Sequence, residues 1–114
     1  MIKMYISNNR SSRNAKKFFN DYSIPVMQIK IDTQFSKKEL LSILEKNPDD
    51  LTNILSLKSK NVKELIKSYD NLSLSDLMNI LINNPSFIKT PIIFDEKRFL
   101  AGFNSEDIRV FIPR

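Results

Sequence analysis

The first third of the chain shows two short apolar runs on either side of an amphipathic stretch. Ile2 to Ile6 alternates apolar and other residues, which is typical of a strand. Apolar residues then recur at the i, i+3, i+4, i+7 spacing of one helix face. A second apolar run, Val26 to Ile31, follows Pro25 and predicts another strand. Strand-helix-strand units are nearly always right-handed and parallel. The positions on the helix face are Ala15, Phe18, Phe19 and Tyr22.

The middle of the chain predicts a run of helices. A Ser or Asn with Glu three residues later forms a capping box, which satisfies free N–H groups at a helix start, and proline is favoured at the first helical position. Asn84-Pro85 ends the run, because the residue before a proline disfavours helical backbone. The predicted helices begin at Ser36, at Asn47 (a short helix from about Pro48 to Leu55), at Asn61 and at Ser73.

The last quarter of the chain predicts a β-hairpin and a final helix. Thr90 to Phe94 is apolar and β-rich, Asp95 to Lys97 is a polar turn, and Arg98 to Ala101 pairs back as a second strand. Gly102 is the only glycine of the chain. Its place before a helix over Ser105 to Phe111 indicates a positive φ angle, which glycine adopts without steric cost.

Composition limits the chemistry more than it limits the fold. The 114 residues, of which 41% are hydrophobic and 27% charged, predict one globular domain over 1–114. The chain has no cysteine and no histidine, which excludes thiol nucleophiles, zinc ribbons and Ser-His or Cys-His pairs. No close pair of carboxylates is arranged for acid–base catalysis. We therefore expect a protein that is not an enzyme and that uses no metal or cofactor.

Charge and hydropathy bear on partners and location. The net charge of +5 favours contact with nucleic acid or with an acidic protein surface. No apolar stretch approaches the roughly 20 residues that span a bilayer, and the first residues do not have the pattern of a signal peptide. These features predict a cytoplasmic protein.

Arg10-Ser11-Ser12-Arg13 lies between the first strand and the first helix, with Ser11 or Ser12 as the predicted helix cap. In the thioredoxin-like architecture this turn carries Cys-x-x-Cys, because a helix start stabilises a thiolate. Here both cysteine positions hold arginine. Two interpretations remain open: an anion site beside the free N–H groups of the helix start, or two solvated surface residues.

Several segments together resemble the Spx branch of the arsenate reductase (ArsC)-like family. The most specific is the Pro-Ile-Ile-x-Asp-Glu-Lys-Arg block that begins at Pro91. The resemblance implies an α/β, thioredoxin-like fold with a helical insertion at about 36–84, in the order βαβ, helices, ββα, around a small mixed four-stranded sheet. The other segments are Met1 to Ala15, Lys58 to Lys60, Gly102 to Asn104 and Asp107 to Arg114.

The resemblance also implies a function. Spx proteins are transcriptional regulators of low-GC Gram-positive bacteria that bind the C-terminal domain of the RNA polymerase α subunit during thiol stress. A similar chain would bind that domain as a monomer and touch DNA only within the joint complex. The alternative is a catalytically dead ArsC-like protein that binds another protein or a small oxyanion.

The chain departs from the family pattern at its switch and at its contact residues. Cys-x-x-Cys falls on Arg10 and Arg13, so no disulfide can form. The arginine that usually precedes the proline of the block is Thr90, and the glycine that contacts the α subunit falls on Asp50. The resemblance thus assigns polymerase contact to Asp50, Arg10 and Arg13.

Two further assignments rest on the same resemblance. Lys58 and Lys60 match basic positions linked to activity in the family, which makes them DNA-proximal candidates. Their alternative interpretation is a solvated face shared with Lys63 and Lys67. Pro91 is expected to have a cis peptide bond with Thr90, beside the turn that holds the two arginines.

Overall fold

The computed structural model describes residues 1–32 and 34–113, and for Tyr69 its backbone only. The chain divides into two compact units. The sheet unit comprises Met1–Lys30 and Thr90–Arg114, and the helical unit comprises Ile31–Lys89. The single domain expected over 1–114 stays a prediction.

A mixed four-stranded sheet organises the sheet unit, with strand order β2-β1-β3-β4. β1 and β2 are parallel, as predicted for the strand-helix-strand unit, whereas β3 is antiparallel to both β1 and β4. This is the small mixed sheet that the thioredoxin-like fold requires. The elements are β1 (Ile2–Ile6), α1 (Arg10–Asp21), β2 (Val26–Lys30), β3 (Ile92–Phe94) and β4 (Phe99–Ala101).

The core of this unit fixes the orientation of α1. Ala15 and Phe19 are buried against the sheet, as the helical spacing predicted. Each fully buried side chain of the size of Phe contributes roughly 1.5–3 kcal/mol. The apolar side of α1 therefore faces inward, and its polar side is left exposed. The cluster contains Met4, Ala15, Phe19, Ile24, Ile93, Ile108 and Phe111.

The hairpin between β3 and β4 is closed by Asp95. Its Oδ1 accepts hydrogen bonds from the backbone N–H groups of Lys97 (2.9 Å) and Arg98 (2.8 Å). Burial acts to raise the pKa of Asp95, but these two N–H donors and the Arg98 charge outweigh it and hold the pKa below its ordinary value. After β4, Gly102 has φ 87°, which confirms the predicted positive angle.

Helices dominate the other unit, and two of the predicted caps are confirmed. Ser36 Oγ accepts from the backbone N–H of Glu39 (3.2 Å), and Ser73 Oγ accepts from that of Asp76 (3.0 Å). Asn84 ends the last α-helix of this run, as predicted. The helices are α2 (Lys37–Lys46), α3 (Lys60–Ser68) and α4 (Leu74–Asn83), with 3₁₀ turns over Leu51–Ile54, Tyr69–Asn71 and Pro85–Phe87.

Two predicted starts in this unit are wrong. α3 is capped by Ser59, whose Oγ accepts from the Val62 N–H (3.4 Å), so Asn61 lies inside the helix. The short helix expected from about Pro48 is only a 3₁₀ turn over Leu51–Ile54. Asn47 delays the start of this turn, because its Oδ1 accepts from the Asp49 N–H (3.2 Å) and holds the intervening residues in a local turn.

The final element also differs in type from the prediction. Asp107–Phe111 is a 3₁₀ helix and not an α-helix. Asn104 Oδ1 accepts from the N–H groups of Glu106 (2.8 Å) and Asp107 (3.0 Å), which starts the turn. A segment of five residues is too short to offset α-helix nucleation, and short pieces favour 3₁₀ geometry. Within 1–32 and 34–113, no helix is both long enough and apolar enough to cross a bilayer.

Candidate functional site

The site that the sequence singles out begins at the first turn of α1. Asn9 is the N-cap: its backbone is extended (φ −134°, ψ 169°) and its Oδ1 accepts from the Ser12 N–H at 2.8 Å. The prediction of Ser11 or Ser12 as the cap is therefore wrong, because both lie within α1, after the cap position. α1 begins at Arg10, which puts Arg10 and Arg13 in its first two turns.

A hydrogen-bonded network joins three elements at this point. Thr90 Oγ1 accepts from Asn9 Nδ2 at 2.7 Å and is also hydrogen-bonded to Ser7 Oγ. Ser12 Oγ accepts from the Ser7 N–H at 3.2 Å. Ser12 and Thr90 are buried. The network therefore fastens the end of β1, the start of α1 and the segment before β3 to one another.

The segment before β3 contains Pro91, whose peptide bond with Thr90 is cis, the isomer expected from the resemblance. Pro91 is buried, and its carbonyl oxygen accepts from the Gly102 N–H at 2.7 Å. Gly102, with its left-handed backbone, is thus hydrogen-bonded to the residue that directly follows Thr90.

Arg10 and Arg13 are both exposed on the outer side of this network. Arg13 Nη1 donates to Asn8 Oδ1 at 3.4 Å, and the first turn of α1 carries no acidic residue. The arrangement presents two guanidinium groups on a rigid helix start. Guanidinium groups in such positions offer charge contact and hydrogen bonding to a partner.

The remaining predicted site residues lie in the helical unit. Asp50 is exposed and directly precedes the 3₁₀ turn, where its carbonyl oxygen accepts from the Asn53 N–H (2.9 Å) and from Asn47 Nδ2 (3.2 Å). Lys58 and Lys60 are exposed on either side of the α3 cap residue. The structure thus groups Arg10, Arg13, Thr90 and Pro91 in one unit, and Asp50, Lys58 and Lys60 in the other. Over the described residues, no group of three or more His, Cys, Asp or Glu side chains is placed to hold a metal.

A sequence model of the ArsC family matches residues 4–111 of the chain. The chain belongs to the ArsC family. Within it, the chain is 36% identical over 116 aligned residues to the protein named global transcriptional regulator Spx of Streptococcus mutans, covering 100% of this chain and 85% of the relative. The Spx of Streptococcus agalactiae serotype V matches with the same identity and coverage. These relatives place the chain in the Spx branch of the ArsC family.

A solved structure confirms the fold of this ArsC-family chain. The structure described as a possible arsenate reductase from Streptococcus mutans has a TM-score of 0.73 and 22% identity, and the match covers 95% of this chain and 97% of that one. At this identity the likeness establishes the thioredoxin-like, ArsC-type fold alone.

Sequence reasoning missed two members of the network in this ArsC-type frame, Ser7 and Asn9. Asn9 carried a usable signal, since asparagine is among the best N-cap residues and stands directly before Arg10. Ser7 carried none, because its partner Thr90 lies 83 residues away in sequence. The network consequently emerges only from the fold.

Proposed function

We propose that this ArsC-family chain is a cytoplasmic, monomeric transcriptional regulator of the Spx type that binds the C-terminal domain of the RNA polymerase α subunit and catalyses no reaction. The observation that carries the proposal is 36% identity along the entire chain to proteins named global transcriptional regulator Spx. The absence of cysteine from the sequence supports a regulator whose binding does not respond to thiol oxidants.

The start of α1 is suited to a docking role. Asn9 accepts from the Ser12 N–H and donates to the Thr90 hydroxyl, and these bonds hold the helix start. The side chains of Ser12 and Thr90 are buried. A helix start held in this way loses little conformational freedom on binding, which lowers the cost of association. Arg10 and Arg13 are exposed at this start and would meet the polymerase domain there.

Asp50 supplies the proposed contact in the helical unit. The resemblance assigns a glycine to this position, where a partner backbone approaches closely. Asp50 adds a side chain and a negative charge on an exposed turn. We therefore expect weaker polymerase binding than a glycine would give, and we expect Asp50→Gly to strengthen it.

Lys58 and Lys60 supply the proposed DNA contact within the joint complex. Both are exposed at the start of α3. Lysines in such positions contact phosphate oxygens and carry no base specificity. Their contribution would be to position the complex on DNA, and the promoter sequence would be read by other parts of the assembly.

A pull-down with the purified α C-terminal domain tests the proposal. Wild type, Asp50→Gly, and Arg10→Ala with Arg13→Ala are compared with the control Lys46→Ala, an exposed lysine of α2. Binding by wild type and control, with loss in the double arginine variant, supports the proposal. Binding only by Asp50→Gly would mean that the fold is kept and the interface is lost. No binding by any variant would overturn it.

A second candidate function is that of a catalytically dead ArsC-like protein that binds a small oxyanion. It is favoured by the two arginines at the start of α1, in a first turn that carries no acidic residue. Millimolar sulfate or phosphate would then raise the melting temperature of wild type. The Arg10→Ala, Arg13→Ala variant should lose that shift, and an unchanged wild type would exclude this function.

A further inference from the structure

An apolar groove lies within the helical unit, between α2, the 3₁₀ turn over Leu51–Ile54 and α4. Its volume is about 390 Å³, and its apolar lining consists of four leucines. All four keep contact with solvent, and two of them, Leu41 and Leu74, are 41% and 60% exposed. We call this feature the leucine groove, and its leucines are Leu41, Leu44, Leu51 and Leu74.

The leucines of the groove are not needed to fill the core of the helical unit. α2 packs inward through Leu40 and Ile43, and α4 does so through Leu77 and Leu81. The groove leucines stay at the surface beside these buried residues. Single exposed apolar residues are ordinary, whereas exposed apolar residues that converge on one site are typical of an interaction surface.

The shape of the groove favours a protein segment over a small molecule. Sites for small molecules bury most of the surface of their ligand, whereas the leucines at 41 and 74 remain largely open to solvent. A groove between two helices is instead typical of sites that receive the apolar face of an amphipathic helix.

The polar lining of the groove selects the charge of its partner. Glu45 and Asp49 are exposed there, and in the part of the chain that the structure describes neither is ion-paired. Asn47 also lines the groove, but its side chain is already bonded to the Asp49 N–H, the Asn53 amide and the Asp50 carbonyl. The two carboxylates are therefore the groups that recognise a partner, and they favour lysine or arginine. The same charges disfavour nucleic acid and anionic lipid surfaces.

The groove differs from the contacts proposed for polymerase. Asp49 and Leu51 line it, whereas Asp50 between them does not. The backbone at Asp50 is extended (φ −60°, ψ 154°), and in extended backbone successive side chains point to opposite sides. Arg10 and Arg13 belong to the sheet unit. The leucine groove therefore contains none of the residues assigned to polymerase.

We propose that the leucine groove binds an amphipathic helix of a second protein partner, distinct from polymerase. Apolar side chains of that helix cover Leu41 and Leu74, and a lysine or arginine beside them faces Glu45 and Asp49. The regulator would thereby hold a further protein through a surface of its own. This inference goes beyond the proposed function and does not depend on it.

The test is the fluorescence anisotropy of a labelled peptide of about 18 residues, long enough to form a helix, titrated with the full chain. The peptide carries leucines on one helix face and lysines on both sides of that face. A companion peptide carries glutamate in place of each lysine. At about 0.15 M salt, where only nearby charges act strongly, the chain should bind the lysine peptide at least about tenfold more tightly than the glutamate peptide.

Two leucine variants show whether binding occurs in the groove. Leu41→Gln with Leu74→Gln should weaken binding of the lysine peptide about tenfold or more, because it removes the proposed anchors. Both residues are exposed, so the fold should tolerate the change. The control, Leu57→Gln with Val110→Gln, replaces two comparably exposed apolar residues elsewhere and should bind the peptide like wild type.

Two charge variants show whether the carboxylates select the partner. Glu45→Gln with Asp49→Asn should weaken binding of the lysine peptide about fivefold, since two exposed ion pairs are lost. The control, Asp70→Asn with Glu96→Gln, loses the same charge from exposed positions outside the groove and should bind like wild type.

Several results would overturn the proposal: no binding of the lysine peptide, equal binding of the two peptides, or equal losses in groove and control variants. Displacement of the peptide by the purified polymerase α C-terminal domain would also overturn it, because the groove would then belong to the polymerase contact. So would a dimer of the chain in light scattering that Leu41→Gln with Leu74→Gln abolishes, because a second copy would then occupy the groove.

The pull-down with the polymerase domain separates this inference from the proposed function. Leu41→Gln with Leu74→Gln should lose the peptide and retain the polymerase domain. Peptide binding by a chain that does not bind the polymerase domain would count against the proposed function alone.

Discussion

Replacing Thr90 by valine removes the hydroxyl at the centre of the network without removing the branched shape of the side chain. Thr90 is only 6% exposed, and its Oγ1 bonds to Asn9 Nδ2 and to Ser7 Oγ. Two hydrogen bonds of about 1 kcal/mol each predict a loss of about 2 kcal/mol in unfolding free energy. For a chain of this size, that corresponds to a fall of about 8 °C in melting temperature. Urea unfolding and thermal melting, both followed by far-UV circular dichroism, measure it.

Two controls show whether the hydroxyl is responsible. Thr90→Ser keeps the oxygen and loses one methyl group, which should cost about 0.8 kcal/mol. A double-mutant cycle of Asn9→Ala and Thr90→Val should show a coupling of about 1 kcal/mol, since the two residues share a hydrogen bond. If Thr90→Val destabilises no more than Thr90→Ser, or if the cycle is additive, the network does not hold α1 as described.

Three more perturbations test other parts of the structure. Ser59→Ala should lower the unfolding free energy by about 1 kcal/mol in urea unfolding, because it removes the α3 cap. Asn61→Ala should change that free energy by no more than about 0.5 kcal/mol. Equal effects of the two variants would restore Asn61 as the cap. Gly102→Ala should cost about 1–2 kcal/mol in a thermal melt, since φ is 87°, and a neutral result would contradict that angle. The pKa of Asp95 is lowered in the folded state, so its carboxylate stabilises wild type above the ordinary value of 3.8, and this contribution is lost as the pH falls through the lowered pKa. Urea midpoints at pH 7 and pH 3 should therefore differ more in wild type than in Asp95→Asn, and equal differences would contradict the assignment.

Local patterns in the sequence predicted the elements well where one residue had no competitor. The alternation over Ile2–Ile6 was sufficient to predict β1. Ser36 and Ser73 were sufficient to predict the starts of α2 and α4, because each directly precedes a clear apolar pattern of helical spacing. The spacing of apolar residues in α1 also identified Ala15 and Phe19 on its buried face. Phe18 is only half-buried, and Tyr22, which was predicted on the same face, follows the helix end and is exposed. The β1–β2 and β3–β4 pairings followed from the parallel rule and from the short polar turn of the hairpin, whereas the central β1–β3 pairing joins distant segments and followed from neither.

Two of the errors, at the starts of α1 and α3, arose where several polar residues competed for one helix end. Asn9, Ser11 and Ser12 can all act as caps, and the choice depends on which of them has extended backbone, which only the folded chain determines. The same competition separated Ser59 from Asn61. The site network lay beyond local patterns altogether, since its closure by Thr90 depends on a contact between distant segments.

The decisive measurement is the affinity of the chain for the purified polymerase α C-terminal domain after oxidation and after reduction. The chain is treated with diamide or with dithiothreitol, the reagent is removed, and the dissociation constant is measured by biolayer interferometry. We expect the chain to bind and the two constants to agree, because the sequence has no cysteine to oxidise. Absence of binding after both treatments, or binding that depends on the treatment, would contradict it.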